Sequence, residues 1–178
     1  MAKTPINPDV AKELQRQLNQ ELASAHAYEA LSLWCEDSNL KGFAHYFIQQ
    51  AHEERTHARR FMKHLLDRKH LPQLSAVPAA STQFDSVLDV AKKALSMEQQ
   101  NTAGINSAYE IALREKDYAA QVFLHSFINE QVEEEDWADE MVDRAARANC
   151  AGGIGELDRH IARYLEDDPS AVEEGGAK

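Results

Sequence analysis

The chain has 178 residues, 43% hydrophobic and 7% aromatic, and a net charge of -11 from 30 acids against 19 basic residues. That length suits one domain, 1–178, with room for a sizeable core, and the apolar share suits a helical protein better than a disordered one. The acidic balance argues against nucleic acid as a partner, which needs a concentrated basic surface, and no apolar run is long enough to span a membrane.

Residues 1–8, with Pro5 and Pro8, read as a short, partly disordered lead. A first helix is expected from about Pro8 to Asp37, with Asn7 as N-cap and Pro8 at the first helical position. Asp37, Ser38 and Asn39 break it. A second helix follows from about Leu40 to His70, antiparallel to the first because the break is so short. Residues 71–82 (LPQLSAVPAAST) describe an extended connection anchored by Leu74 and Val77. About twelve extended residues reach roughly 40 Å, nearly the length of a helix of about thirty residues, roughly 45 Å. The connection can therefore run the length of a bundle and set helices two and three parallel. Ser81 or Thr82 is expected to cap the third helix, which runs to about Arg114. A turn at Lys116 and Asp117 leads to the fourth, ending near Ala148. The four-helix bundle thus spans about 8–148. A short fifth helix covers about 154–167, with Ile154, Leu157, Ile161, Tyr164 and Leu165 on its apolar face, and a flexible tail follows over 169–178. The fold class is all-α: a four-helix bundle with a long crossover between helices two and three.

Each long segment carries an acid inside its apolar stripe. At steps of four and three, the stripes run Leu14, Leu18, Glu21, Ala25, Tyr28, then Phe47, Gln50, Glu54, His57, Phe61. The third runs from Phe84 through Leu95, Glu98, Thr102 and Ile105, and the fourth from Phe127 through Glu130, Glu134, Trp137 and Met141. Such lines are single helix faces. All four acids fall near mid-helix, so in an up-and-down bundle they meet at one level. Four unpaired buried carboxylates would be prohibitively costly; they must be protonated, paired or bound to metal.

Glu54 and His57 form Glu-x-x-His, which places a carboxylate and an imidazole on one helix face. That donor set suits iron, manganese or zinc. Di-iron carboxylate bundles take one Glu from each of two helices and Glu-x-x-His from each of the other two. Here Glu21 and Glu98 supply the single acids, but helix four carries Gln131-x-x-Glu134 instead of a second Glu-x-x-His. Glu21, Glu54 and His57 read as a first metal site. Glu54, Glu98 and Glu134 read as an oxygen-only second site, with Glu54 bridging. Tyr28 is either a core aromatic or a donor of a hydrogen bond or electron to the site. The acidic run on helix four reads by itself as a solvated face. Yet Glu130, Glu133 and Glu134 are helical neighbours, and with Glu53 opposite they also fit a third, looser cation site. The other histidines (His26, His45, His52, His64, His70, His125, His160) are assigned to surfaces or interfaces. Cys35 and Cys150 are ordinary thiols, and without Cys-x-x-Cys a rubredoxin-type iron module is disfavoured.

The chain resembles the ferritins, most closely the bacterial non-haem ferritins, on Glu21 with Tyr28, "HEERTHA" at 52–58, Glu98, and "NEQVEEE" at 129–135. The resemblance implies a homo-oligomeric 24-subunit shell around a cavity. It implies iron storage, with Fe(II) oxidised by oxygen or peroxide at a di-iron ferroxidase centre in each subunit. It carries ligand roles onto Glu21, Glu54, His57, Glu98 and Glu134, near-site roles onto Tyr28 and Gln131, and a third iron site onto Glu53, Glu130 and Glu133 with Glu134. It also implies a fifth helix pointing inward around a four-fold axis. The haem-binding relatives have a methionine directly after the helix-two glutamate; Arg55 stands there, so no haem is expected. Gln121 and Leu124 stand where animal heavy chains place the acids of their three-fold channels. With no apolar signal-peptide core at the amino terminus, a cytoplasmic location is the default expectation.

Overall fold

A computed structural model describes residues 5–148 and 150–167. Five helices form among them: α1 (Pro8–Asp37), α2 (Lys41–Asp67), α3 (Val87–Arg114), α4 (Tyr118–Arg147) and α5 (Ala151–Asp167). No helix of the described residues is long and apolar enough to cross a membrane. α1 starts as expected, with Asn7 Oδ1 accepting from Asp9 N–H at 2.8 Å and Pro8 in the first turn. α1, α2 and α3 all end in a left-handed residue, Asn39, Lys69 and Lys116, with φ of 58°, 62° and 55°. In each, the next N–H reaches back to the final turn: Leu40 to Cys35 O, His70 to Leu65 O and Asp117 to Ala112 O, all at 2.9 Å. This closure of a helix C-terminus is usually made with glycine.

The lead is more ordered than expected at residues 5–7. Ile6 is buried and donates its N–H to Arg68 O at 3.2 Å. Residues 1–4 lie outside the described set, as do the tail 169–178 and the side chains of Tyr164 and Leu165.

The crossover climbs along α1. Gln73 N–H donates to Gln15 Oε1 and Ser75 N–H to Asn19 Oδ1, each at 2.7 Å. Trp34 Nε1–H donates to Phe84 O at 3.1 Å, near the far end of α1. Polar clamps hold the segment, not the expected apolar anchors: Leu74 and Val77 are 64% and 44% exposed. The climb leaves α3 running parallel to α2. The expected caps Ser81 and Thr82 do not cap α3. Trp34 holds Phe84 outside the helix, packing on its ring and donating to its carbonyl, and the helix starts at Val87. Ser86 is its cap, accepting from Asp89 N–H at 3.2 Å and donating to Asp89 Oδ2 at 2.7 Å.

The core has two apolar halves. One packs Phe43, Phe47, Tyr28, Leu31, Val90 and Met141; the other packs Leu14, Leu18, Phe61, Ile105, Leu124 and Phe127. The seam acids lie between them. α5 folds back on one end of the bundle, burying Leu157 and Ile161 in the first half.

Candidate metal centre

Between the apolar halves, Glu21, Glu54 and Glu98 are 1%, 4% and 2% exposed, and His57 is 6% exposed. The expectation of four buried acids holds for three of them; Glu134 is half-buried. One ligand atom from each of Glu21, Glu54 and His57 lies within 4.8 Å of the other two. His57 Nδ1 is 3.7 Å from Glu54 Oε2, and that buried oxygen has no hydrogen-bond partner. A buried oxygen left without a partner costs about 1–3 kcal/mol, more when charged. A cation beside it would remove that cost, and the donor set of two carboxylates and one imidazole fits iron.

Uncharged donors hold the acids in place. Gln17 Nε2 donates to Glu21 Oε1 at 2.8 Å, and Asn101 Nδ2 donates to Glu54 Oε1 at 2.7 Å. Ser24 Oγ in turn reaches Asn101 Oδ1 at 3.3 Å. Gly104 leaves space for the Gln17 amide: a Cβ there would overlap Gln17 Oε1. Sequence reading missed Gln17, Ser24, Asn101 and Gly104. Gln17 lies one turn before Glu21, and Asn101 three residues past Glu98. Polar residues at those offsets from a seam acid were the available signal.

Glu98 is occupied otherwise. The Tyr28 hydroxyl donates to its Oε1. Gln131 Nε2 donates to its Oε2 and to Thr102 Oγ1, each at 3.2 Å. The structure thus draws Glu21, Glu54 and His57 into one group and leaves Glu98 and Glu134 outside it. Glu53 and Glu133 are exposed. Glu130 forms an ion pair with Arg60, a partner unforeseen from sequence. His64 is half-buried and stacks on Phe123, ring centroids 4.3 Å apart.

Burial and mutual repulsion set the protonation. Burial, then the Glu54 charge, push Glu21 well above the carboxylate range. Burial raises Glu54 to about 8, with Glu98, Glu134 and Glu53 adding repulsion and Glu21 opposing. Burial raises Glu98 too, while Tyr28 and Gln131 hold it back. Burial, then Glu53, Glu98, Glu130 and Glu133, raise Glu134. Burial and the Glu98 charge keep Tyr28 a neutral donor. Without cations, each of these acids holds its proton to a higher pH than a free carboxyl does.

A four-helix bundle with one long crossover and a cluster of carboxylates and imidazole across its middle defines the ferritin-like class. A model of the Ferritin-like domain matches residues 11–148. The chain is 38% identical over 138 residues to a bacterial non-heme ferritin of Staphylococcus haemolyticus, covering 78% of this chain and 83% of the relative. It is 40% identical over 130 residues to one from Staphylococcus aureus, covering 73% and 78%. Among solved structures, an open pore ferritin of the archaeon Archaeoglobus fulgidus superposes with a TM-score of 0.85 at 29% identity, covering 88% of this chain and 98% of that one. The chain belongs to the ferritin family.

Proposed function

We propose that this protein stores iron, and that it oxidises Fe(II) at a di-iron centre inside each bundle before the product enters a 24-subunit shell. The observation that carries the reading is the buried group of Glu21, Glu54 and His57, with the unpartnered Glu54 oxygen at its middle. Family membership, the bacterial non-heme ferritin relatives and the archaeal ferritin structures support it.

Iron is substrate here. Glu21, Glu54 and His57 bind the first ion. Glu54, Glu98 and Glu134 bind the second, with Glu54 bridging. A pair of Fe(II) ions gives up two electrons, one from each, to oxygen or peroxide. Binding releases protons, because the acids that would ligate iron hold protons in its absence. The Tyr28 hydroxyl and the Gln131 amide steady Glu98. For the second ion to bind, Glu98 must offer it a lone pair that Tyr28 and Gln131 leave free. The first site is grouped in advance and the second is not, so the first should bind more tightly. Separate titrations of the two ions check this, and equal affinities would sink it. Glu53, Glu130 and Glu133 with Glu134 form an outer third site for iron leaving the centre.

Glu54→Ala is the decisive variant. It should abolish fast Fe(II) oxidation, followed by ferric absorbance after mixing with oxygen, while the particle still assembles. Wild-type oxidation rates in that variant would refute the assignment.

A further inference from the structure

We propose that Glu130 is a positioning residue for His57, and that Arg60 holds Glu130 in that role. The His57 ring stands between two carboxylates. Its Nδ1 faces Glu54 Oε2 at 3.7 Å, and its Nε2 faces Glu130 Oε2 at 3.6 Å from α4. A histidine that ligates metal through one ring nitrogen carries its proton on the other. A carboxylate facing that N–H fixes the tautomer and ring orientation and raises the basicity of the ligating nitrogen. The 3.6 Å separation is slightly longer than a hydrogen bond.

Glu130 is held firmly for this task. Arg60 Nη1 donates to both of its oxygens, at 3.1 and 3.0 Å, and Arg60 Nη2 reaches Ser126 Oγ. The guanidinium lies 3.9 Å over the Phe127 ring, and Phe127 packs edge-on against His57 with centroids 5.3 Å apart. Glu130 and Phe127 therefore flank one imidazole, and Arg60 braces both. The simpler alternative is a surface ion pair of little consequence, since both side chains are about a third exposed. The alignment of Glu130 with the histidine nitrogen that points away from the cluster favours the positioning role. The proposal rests on Glu21, Glu54 and His57 being a metal centre. It also adds a task for Glu130 beside the third-site role: Arg60 donates to both of its oxygens, so an outer ion would have to share them.

The test is cobalt(II) titration of the metal-free assembled protein, followed by calorimetry and by the visible spectrum of the bound cobalt. Glu130→Ala and Arg60→Ala should each weaken the first, tightest cobalt by about 10–100-fold and shift its spectrum. Glu130→Gln, which keeps an acceptor oxygen, should recover most of the loss. If Glu130→Ala removes only a later, weaker cation and leaves the first unchanged, Glu130 is an outer ligand and the proposal is overturned. If Glu130→Ala weakens the first cobalt but Arg60→Ala does not, the role of Arg60 is overturned. Absence of a tight cobalt in the unmodified protein would overturn the metal-centre reading itself. Thermal melts of the variants distinguish these results from misfolding.

Discussion

Glu54 is the residue on which the proposed chemistry turns, and its protonation is measurable without iron. Burial raises its pKa from 4.5 to about 8, and Glu21, Glu98 and Glu134 are raised as well. The folded protein therefore holds protons that the unfolded chain gives up. That contribution to stability is fully present below 4.5 and is lost as pH rises through 8 for Glu54. The metal-free protein should melt at progressively lower temperature across that window, by about 1.4 kcal/mol per pH unit for each proton held. A divalent cation should flatten the slope and release protons, as read by calorimetry in two buffers. A flat profile with chelator present would mean that the cluster is not protonated. Gly104 offers a second residue-scale test. Gly104→Ala places a methyl against Gln17 and displaces the amide that holds Glu21. Overpacking of this kind costs about 1–3 kcal/mol, so the melting temperature should fall. The first-site cation affinity should fall with it.

The elements show where local signals suffice and where they do not. The caps of α1 and the breaks near residues 38 and 116 were legible because Asn, Pro and short polar runs act over a few residues. The start of α3 was not, because Phe84 is held by Trp34 from another helix. α2 has no side-chain cap of its own; Asp158 of α5 supplies one, accepting from Phe43 N–H at 3.0 Å. The two helices meet so closely that a Cβ on Gly42 would overlap the Asp158 carbonyl. Loss of an N-cap costs about 0.5–2 kcal/mol. Asp158→Ala should lower stability by that order, and Asp158→Asn should retain part of it because Asn also caps. Gly42→Ala should lift α5 off the bundle, seen as faster amide hydrogen exchange over 151–163 with α1 and α3 unchanged.

At the scale of the whole molecule, the bundle leaves large apolar side chains in water. Leu71 and Leu74 on the crossover are 78% and 64% exposed, and Tyr118 and Val122, one turn apart on α4, are 71% and 70% exposed. In the proposed shell, neighbouring chains would cover these side chains. A particle of 24 chains of 20.0 kDa has a mass of about 480 kDa. Light scattering should find that mass. Replacing Leu71 and Leu74 together by Asp should give smaller species whose chains keep their helical content. A particle of full mass in that variant would place the crossover outside the contacts.

The one-dimensional pattern specified the all-α class, the order of the helices, a connection long enough to set α2 and α3 parallel, and a mid-helix level for Glu21, Glu54, His57 and Glu98. Periodicity and chain length act along the backbone, so they can be read residue by residue. How those groups are satisfied is set chiefly by contacts between helices. The fold gave Glu21 to Gln17, Glu54 to Asn101, Glu98 to Tyr28 and Gln131, and Glu130 to Arg60. It left one Glu54 oxygen without a partner. Hydrogen bonds and ion pairs between helices depend on positions fixed to a few tenths of an ångström, and a one-dimensional pattern does not contain that geometry.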